Sequence, residues 1–455
     1  MDRHPIGNGM CAPRIPRELA ALIAALQLKG ATTEALLELE EHEWESILRF
    51  CDLAHLTLRL AQVDTSGFPL WVVERLKKNV TDNAARFERV KATYREVADA
   101  MDQAGVEYLV IKGFTQAPEY VADACLRVQS DLDIYCPKER IVQAKTALMG
   151  IGYQPEETID YSRADHLPTM IRPSNWQWRG NAFDPHMPLS VELHFCLWNE
   201  SVYCLSVPEV DHFWERRIKR TLGETSFPAL APVDHVAYLA IHILRGLLNG
   251  DWVIHHAHEL ATFLQGNAKN DEFWHAWKQT HSRSFRALQA IAFSHARSWF
   301  CCDVHEEVLD VSQELDSKIR EWLSRFTGSS LEGMFRPNKS WIWLHTALLN
   351  SPEKKRQMLR RALVPSRIPG ADAPAVQFEN RQPRRTESLH PSLRYTAFIV
   401  SRLTVHARLI PTTLWQGLCL WFSQRQLKRQ FWTFLVASFF LTGACQSTSF
   451  YSICF

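Results

Sequence analysis

The 455-residue sequence holds no Cys-x-x-Cys pair among its 11 cysteines, no repeat of fixed period, and no apolar run of the ~18–20 residues that a membrane-spanning helix needs. Each absence excludes a class. Unpaired, irregularly spaced cysteines, including the adjacent Cys301 and Cys302, fit a reducing compartment better than a disulfide framework or a zinc ribbon. The first thirty residues place Pro and Arg where a secretory leader needs an apolar core, so a cytoplasmic location is expected. No aromatic-rich RNA-binding motif accompanies the basic residues, which disfavours nucleic acid as a partner. Net charge is only +1 but unevenly spread: residues 354–429 hold 15 Lys/Arg against 3 Asp/Glu, leaving residues 1–353 near −11.

With 46% hydrophobic residues, the chain can bury two or three domains. Residues 1–105 read as helices, from the periodic apolar positions of RELAALIAALQL, EWESILRFCDLAHLTLRLAQV and AARFERVKATYREVADAMDQAG, with Gly105 as a stop. Residues 106–225 carry strand signals, with a helix over 138–152 and a Trp-rich segment, 163–181, expected as a hairpin or sheet edge. Residues 228–350 return to helical periodicity. Beyond them lies a basic, apolar tail, 354–455, with a proline-punctuated linker over 365–392. In the tail, the apolar runs 407–422 and 431–445 flank a basic segment. The stretch 394–445 is therefore expected to pack on the body or to touch an anionic membrane from the inner face.

The chemistry concentrates in the middle region. In SDLDIYC (130–136), Asp131 and Asp133 sit two apart in an apolar run, so an extended backbone places both on one face and Leu132 and Ile134 on the other. Carboxylates set among Leu, Ile, Tyr and Cys need a counter-charge, and a divalent cation supplies one. Upstream, the β-branched run VEYLVIKG ends at Lys112-Gly113, and the following Phe114-Thr115 looks like a helix start. Strand, turn and helix would expose amides, the Lys112 ammonium and the Thr115 hydroxyl to a nucleotide's phosphates. Downstream, LSVELHFCL (189–197) puts Glu192 and His194 on one face of a further strand, adding a third carboxylate.

Together these elements resemble the nucleotidyltransferase superfamily, with its polymerase-beta-like core, and within it the bacterial family of uncharacterised nucleotidyltransferases. The matching residues are Lys112-Gly113, then Arg127-Val128-Gln129-Ser130-Asp131-Leu132-Asp133, then Val191-Glu192-Leu193-His194. The resemblance extends to helical regions at 15–105 and 228–350, where His242 and HELATFL (258–264) match, with Glu259 where Asp is more usual. It departs at Phe114, which stands where better-studied members carry Ser after the glycine. The resemblance implies an α+β fold, a small mixed-sheet core between N-terminal and C-terminal helical regions. It also implies Mg²⁺-dependent transfer of a nucleotidyl group from a nucleoside triphosphate such as ATP to an unidentified acceptor: a small molecule, sugar phosphate, peptide or protein. Two Mg²⁺ ions would be held by the catalytic carboxylates Asp131, Asp133 and Glu192 in a two-metal mechanism. Lys112, Gly113 and Thr115 would face the triphosphate. Arg127 would pair with an aspartate or with phosphate.

Each of these residues also has a plainer structural use. Lys112 can be a surface lysine at a strand end, and Arg127 an ion-pair partner. His194 can hydrogen-bond beside the metal rather than ligate it, and His242 can be a packing histidine near the site. The His255, His258 and Glu259 spacing allows a transition-metal centre, hence a histidine-based metallohydrolase, but lacks the His-Glu-x-x-His order, so helix packing is preferred there. The competing class for the whole chain is a non-catalytic scaffold that keeps the fold and binds a membrane or protein partner.

Overall fold

The computed structural model describes residues 15–156, 165–251, 253–333, 335, 338–363, 396, 400, 403–404 and 407–421. Its central element is a five-stranded sheet built from β1 (Leu109–Ile111), β2 (Asp131–Tyr135), β3 (Gln154–Pro155), β4 (Met170–Ile171) and β5 (Ser190–His194), in spatial order β1-β2-β5-β4-β3. The pair β2 and β5 is parallel and the other pairings are antiparallel, so the sheet is mixed. A hairpin of β6 (Ile218–Leu222) and β7 (Thr225–Ala229) stands apart from this sheet, turning at Gly223, whose φ is +56°. With helices before and after these strands, the architecture is α+β.

Alternation along β2 and β5 divides the sheet into two unlike faces. Leu132, Ile134, Val191 and Leu193 are fully buried on one of them. They pack with Val90, Tyr94, Val97 and Met101 of the helix Leu70–Gln103 and with Ile141, Ala144 and Leu148 of the helix Ile141–Gly150. Burying each such aliphatic side chain contributes about 1.5–3 kcal/mol. The opposite face is left to Asp131, Asp133, Glu192 and His194.

The helix Leu70–Gln103 has 34 residues, and at 1.5 Å per residue it is about 50 Å long. It follows Pro69 and stops at Ala104, where Gly105 takes a positive φ of +63° that a side-chain-bearing residue rarely adopts. Its buried positions recur every three or four residues, but the middle of that stripe is polar: Asn79, Asn83 and Arg86. Asn83 Nδ2 donates to the carbonyls of Cys125 (2.6 Å) and Arg127 (3.2 Å), and Arg86 donates to those of Gln129 (2.9 Å) and Met187 (2.8 Å). The polar stripe thus grips the loop leading into β2.

A second, helical core joins the N-terminal helices to those after the sheet. Leu19, Leu22, Trp44, Leu48 and Leu76 share it with Leu239, Leu260, Trp274, Phe293 and Trp322. The Leu28 amide donates to the Phe300 carbonyl at 2.8 Å. Three segments differ from expectation. The 43–63 periodicity is broken between the helices Glu41–Leu53 and Thr57–Leu60 at His55, which has φ +56°. Gly113 opens only a four-residue 3₁₀ turn, Gly113–Gln116, because Pro118 disfavours helical backbone at the residue before it. In the Trp-rich segment, residues 163–164 lie outside the described residues. The remainder forms β4 and a turn in which Trp176 Nε1 donates to Asp184 at 2.9 Å.

Much of the tail, including 365–392 and 431–445, lies outside the described residues. Residues 407–421 are helical and seat against the body through Trp343, whose indole donates to the Thr413 carbonyl at 3.0 Å, while Leu420 joins the helical core. No helix among the described residues is long and apolar enough to cross a membrane.

Burial in the helical region sets an acid limit. Burial lowers His235 and His258 to about 3 and His295 to about 4, so all three are neutral in the folded state. An unfolded histidine protonates near pH 6.5. Below that pH the unfolded chain binds more protons, and folding stability is lost as pH falls from 6.5 toward the folded values, by about 1.4 kcal/mol per unit for each group. Urea midpoints measured from pH 6.5 to 4 are expected to fall steeply as pH falls. A flat profile down to pH 5 would contradict this.

Candidate active site

Parallel pairing sets Asp133 opposite Glu192, Asp131 opposite Ser190 and Tyr135 opposite His194, so acidic and imidazole side chains from two strands meet on the polar face. Asp133 is buried, and its Oδ1 accepts from Lys112 Nζ at 2.6 Å and from His194 Nε2 at 2.8 Å. His194 Nε2 also lies 3.6 Å from Glu192 Oε2, and Thr169 Oγ1 donates to Glu192 Oε1 at 3.3 Å. One ligand atom each from Asp133, Glu192 and His194 fall within 4.8 Å of one another. Two carboxylate oxygens and an imidazole nitrogen at that separation fit a divalent cation.

The charges within this cluster are strongly interdependent. Burial alone would raise Asp133, but Lys112 and His194 outweigh it and hold the carboxyl well below its usual range. Burial would likewise lower His194, yet its bonds to Asp133 and Glu192 push it up to about 9, so it donates as an imidazolium. Asp131 goes the other way: burial, then the Asp133 and Glu192 carboxylates, raise it to about 7. None of the described residues hydrogen-bonds its side chain, while Gln129 Nε2 donates to its carbonyl at 2.8 Å.

The Lys112-Gly113 turn is conformationally demanding. Lys112 has φ +58° and ψ −157°, a region rarely occupied by residues other than glycine, and such strain is kept where neighbours over-determine it. Its neighbours do so. The Asp133 ion pair holds its ammonium, and its carbonyl accepts from the Thr115 hydroxyl at 2.7 Å. A Cβ at Gly113, φ +56°, would collide with the Gln129 side chain. Arg220 of β6 adds bonds of 2.9 Å to the carbonyls of Thr115 and Ala117. Thr115 is itself buried, so its hydroxyl serves the turn in this structure.

Two expected neighbours sit elsewhere. Arg127 pairs with neither aspartate; its Nε donates to Glu259 Oε1 at 2.8 Å, in a buried group that includes Arg59 at 3.9 Å and His256 Nδ1 at 3.3 Å. His242 contacts no carboxylate of the cluster. Its Nδ1 accepts from Arg245 at 3.0 Å, and its ring stands 4.6 Å from that of His256. The 255–259 segment makes no metal centre among the described residues, because Arg127 and His256 already occupy the Glu259 carboxylate.

Sequence reading missed the residues behind His194. Asp165 Oδ2 lies 3.9 Å from His194 Nδ1 and pairs with Arg245. Arg245 stands on the helix Pro232–Asn249, seven positions after Tyr238, which lies close enough to Lys112 to influence its charge. The only hint was the Asp165-His166 pair inside a segment dominated by tryptophans. Arg86 and Arg220, which fix the two loops through main-chain carbonyls, gave no local signal at all.

The model of the family described as "Uncharacterised nucleotidyltransferase" matches residues 39–301. No curated protein and no solved structure matches the chain.

Proposed function

Because the chain belongs to the uncharacterised nucleotidyltransferase family, we propose that it transfers a nucleotidyl group from a nucleoside triphosphate to an acceptor hydroxyl, using the polar face of β2 and β5. The register that sets Asp133 against Glu192, with Lys112 on the same carboxylate, carries this reading. In such a transfer the acceptor oxygen bonds to the α-phosphorus, the bond from that phosphorus to the bridging oxygen breaks, and pyrophosphate leaves with the electron pair. Proteins promote this mainly by holding the reactants in line and neutralising charge.

Asp131, Asp133 and Glu192 would hold Mg²⁺, which when bound supplies positive charge to the triphosphate and to the acceptor oxygen. The acceptor proton would pass to a carboxylate of the cluster, with Glu192 as the base. Lys112 would turn its ammonium toward the triphosphate once a cation satisfies Asp133. Gly113 would hold the turn that presents Lys112, its missing side chain leaving the space that Gln129 fills. Arg127, held by Glu259, would anchor the loop before β2 rather than bind phosphate.

The test is direct. Full-length protein with Mg²⁺ and ATP or CTP labelled at the α-phosphate, supplied with cell extract as an acceptor source, is expected to form a labelled product and release pyrophosphate. Calorimetry is expected to show binding of at least one Mg²⁺–triphosphate complex. Failure of both for every nucleoside triphosphate would leave the scaffold class.

A further inference from the structure

The carboxylates of β2 and β5 do not form the cluster alone. His194 Nε2 lies on its inner side, 2.8 Å from Asp133 Oδ1 and 3.6 Å from Glu192 Oε2, whereas Asp131, though on the same strand face, does not belong to the group whose ligand atoms lie within 4.8 Å. The imidazole is also backed on its other side. Nδ1 lies 3.9 Å from Asp165, a Coulombic rather than a hydrogen-bonding separation, and Arg245 fixes that aspartate. A histidine with one nitrogen among carboxylates and a fixed anion behind the other is placed as metal-bound histidines are, the outer carboxylate raising its basicity through charge.

From this geometry we propose that His194 is a direct ligand, with Asp133 and Glu192, of the divalent cation, and that the site prefers Mn²⁺ to Mg²⁺. This deepens the proposed function and rests on its reading of the cluster as a cation site. Bringing three donors to the about 2.0–2.2 Å of a metal shell requires only that a cluster already within 4.8 Å contract around the ion. Mg²⁺ favours all-oxygen shells and dehydrates reluctantly, whereas an imidazole ligand moves preference toward Mn²⁺ and later transition ions. Two of the three donors are buried, His194 at 2% and Asp133 at 3% exposed, which restricts water on their side of the ion.

Pulsed electron paramagnetic resonance on the full chain loaded with Mn²⁺ tests this without relying on turnover. The wild-type protein is expected to show coupling to a directly bound imidazole nitrogen, altered by ¹⁵N-histidine labelling and lost in His194→Gln. Titration should give a Kd for Mn²⁺ at least about tenfold lower than for Mg²⁺. The wild-type spectrum stands as evidence even if the variant does not fold. Bound Mn²⁺ with oxygen coordination only, nitrogen coupling that survives in folded His194→Gln, or no Mn²⁺ binding would overturn the inference. Oxygen-only coordination with intact nucleotidyl transfer would sink this inference alone, whereas nitrogen coordination without any transfer would sink the proposed reaction and leave the site.

Discussion

Asp131→Asn is expected to stabilise the metal-free protein while reducing nucleotide turnover at least on the order of 10³-fold, and Asp133→Asn to destabilise it with a similar loss of turnover. The two aspartates are two residues apart on one strand face, yet their electrostatic situations are opposite. Asp131 is raised to about 7 by burial and by the Asp133 and Glu192 carboxylates, so at pH 8 its charge is held against repulsion. Asparagine removes that charge at constant shape and should contribute on the order of 1–3 kcal/mol. Asp133 is instead the acceptor of both Lys112 and His194. Its loss leaves two buried cations without their anion, which costs about 3–5 kcal/mol. Thermal melts in chelator at pH 8 should therefore move in opposite directions for the two variants. Equal shifts would mean that the carboxylates are not electrostatically distinct.

Glu259→Ala is expected to destabilise the protein by about 3–5 kcal/mol, because it strands Arg127 and Arg59 inside it. Burial opposes ionisation of Glu259, but Arg127 and His256 hold its carboxyl well below the usual range. A double variant, Arg127→Met with Glu259→Leu, should recover most of the loss by replacing the pair with apolar side chains, and the cycle isolates their coupling. Urea midpoints measure both. A single-variant cost under about 1 kcal/mol would show that the pair is solvated and not a buried anchor.

The strands carrying Asp131, Asp133, Glu192 and His194 were legible because strand periodicity is local: alternate apolar residues had to bury, and the polar set had to share the other face. The second half of the long helix, from residue 84 onward, and its glycine stop were legible for the same kind of reason. Arg127 was not, since its choice between the aspartates and Glu259 depends on a helix 132 residues further along the chain. The turn after Gly113 looked like a helix start because amide-exposing turns and true helix starts share their first residues; Pro118 is what separated them. Asp165, Tyr238 and Arg245 reach the site from a loop and a helix whose placement no local pattern records.

The two arginines that steady the site reach it through main-chain oxygen, Arg220 adding an ion pair with Glu119. Arg86 holds the approach to β2, and Arg220 the turn that carries Lys112. A carbonyl is the same whatever side chain follows it. The carbonyl grip of Arg86 and Arg220 is therefore indifferent to which side chains these loops carry, whereas Arg127 and Glu119, each held in an ion pair of its own, are the side chains through which a replacement there would loosen the frame.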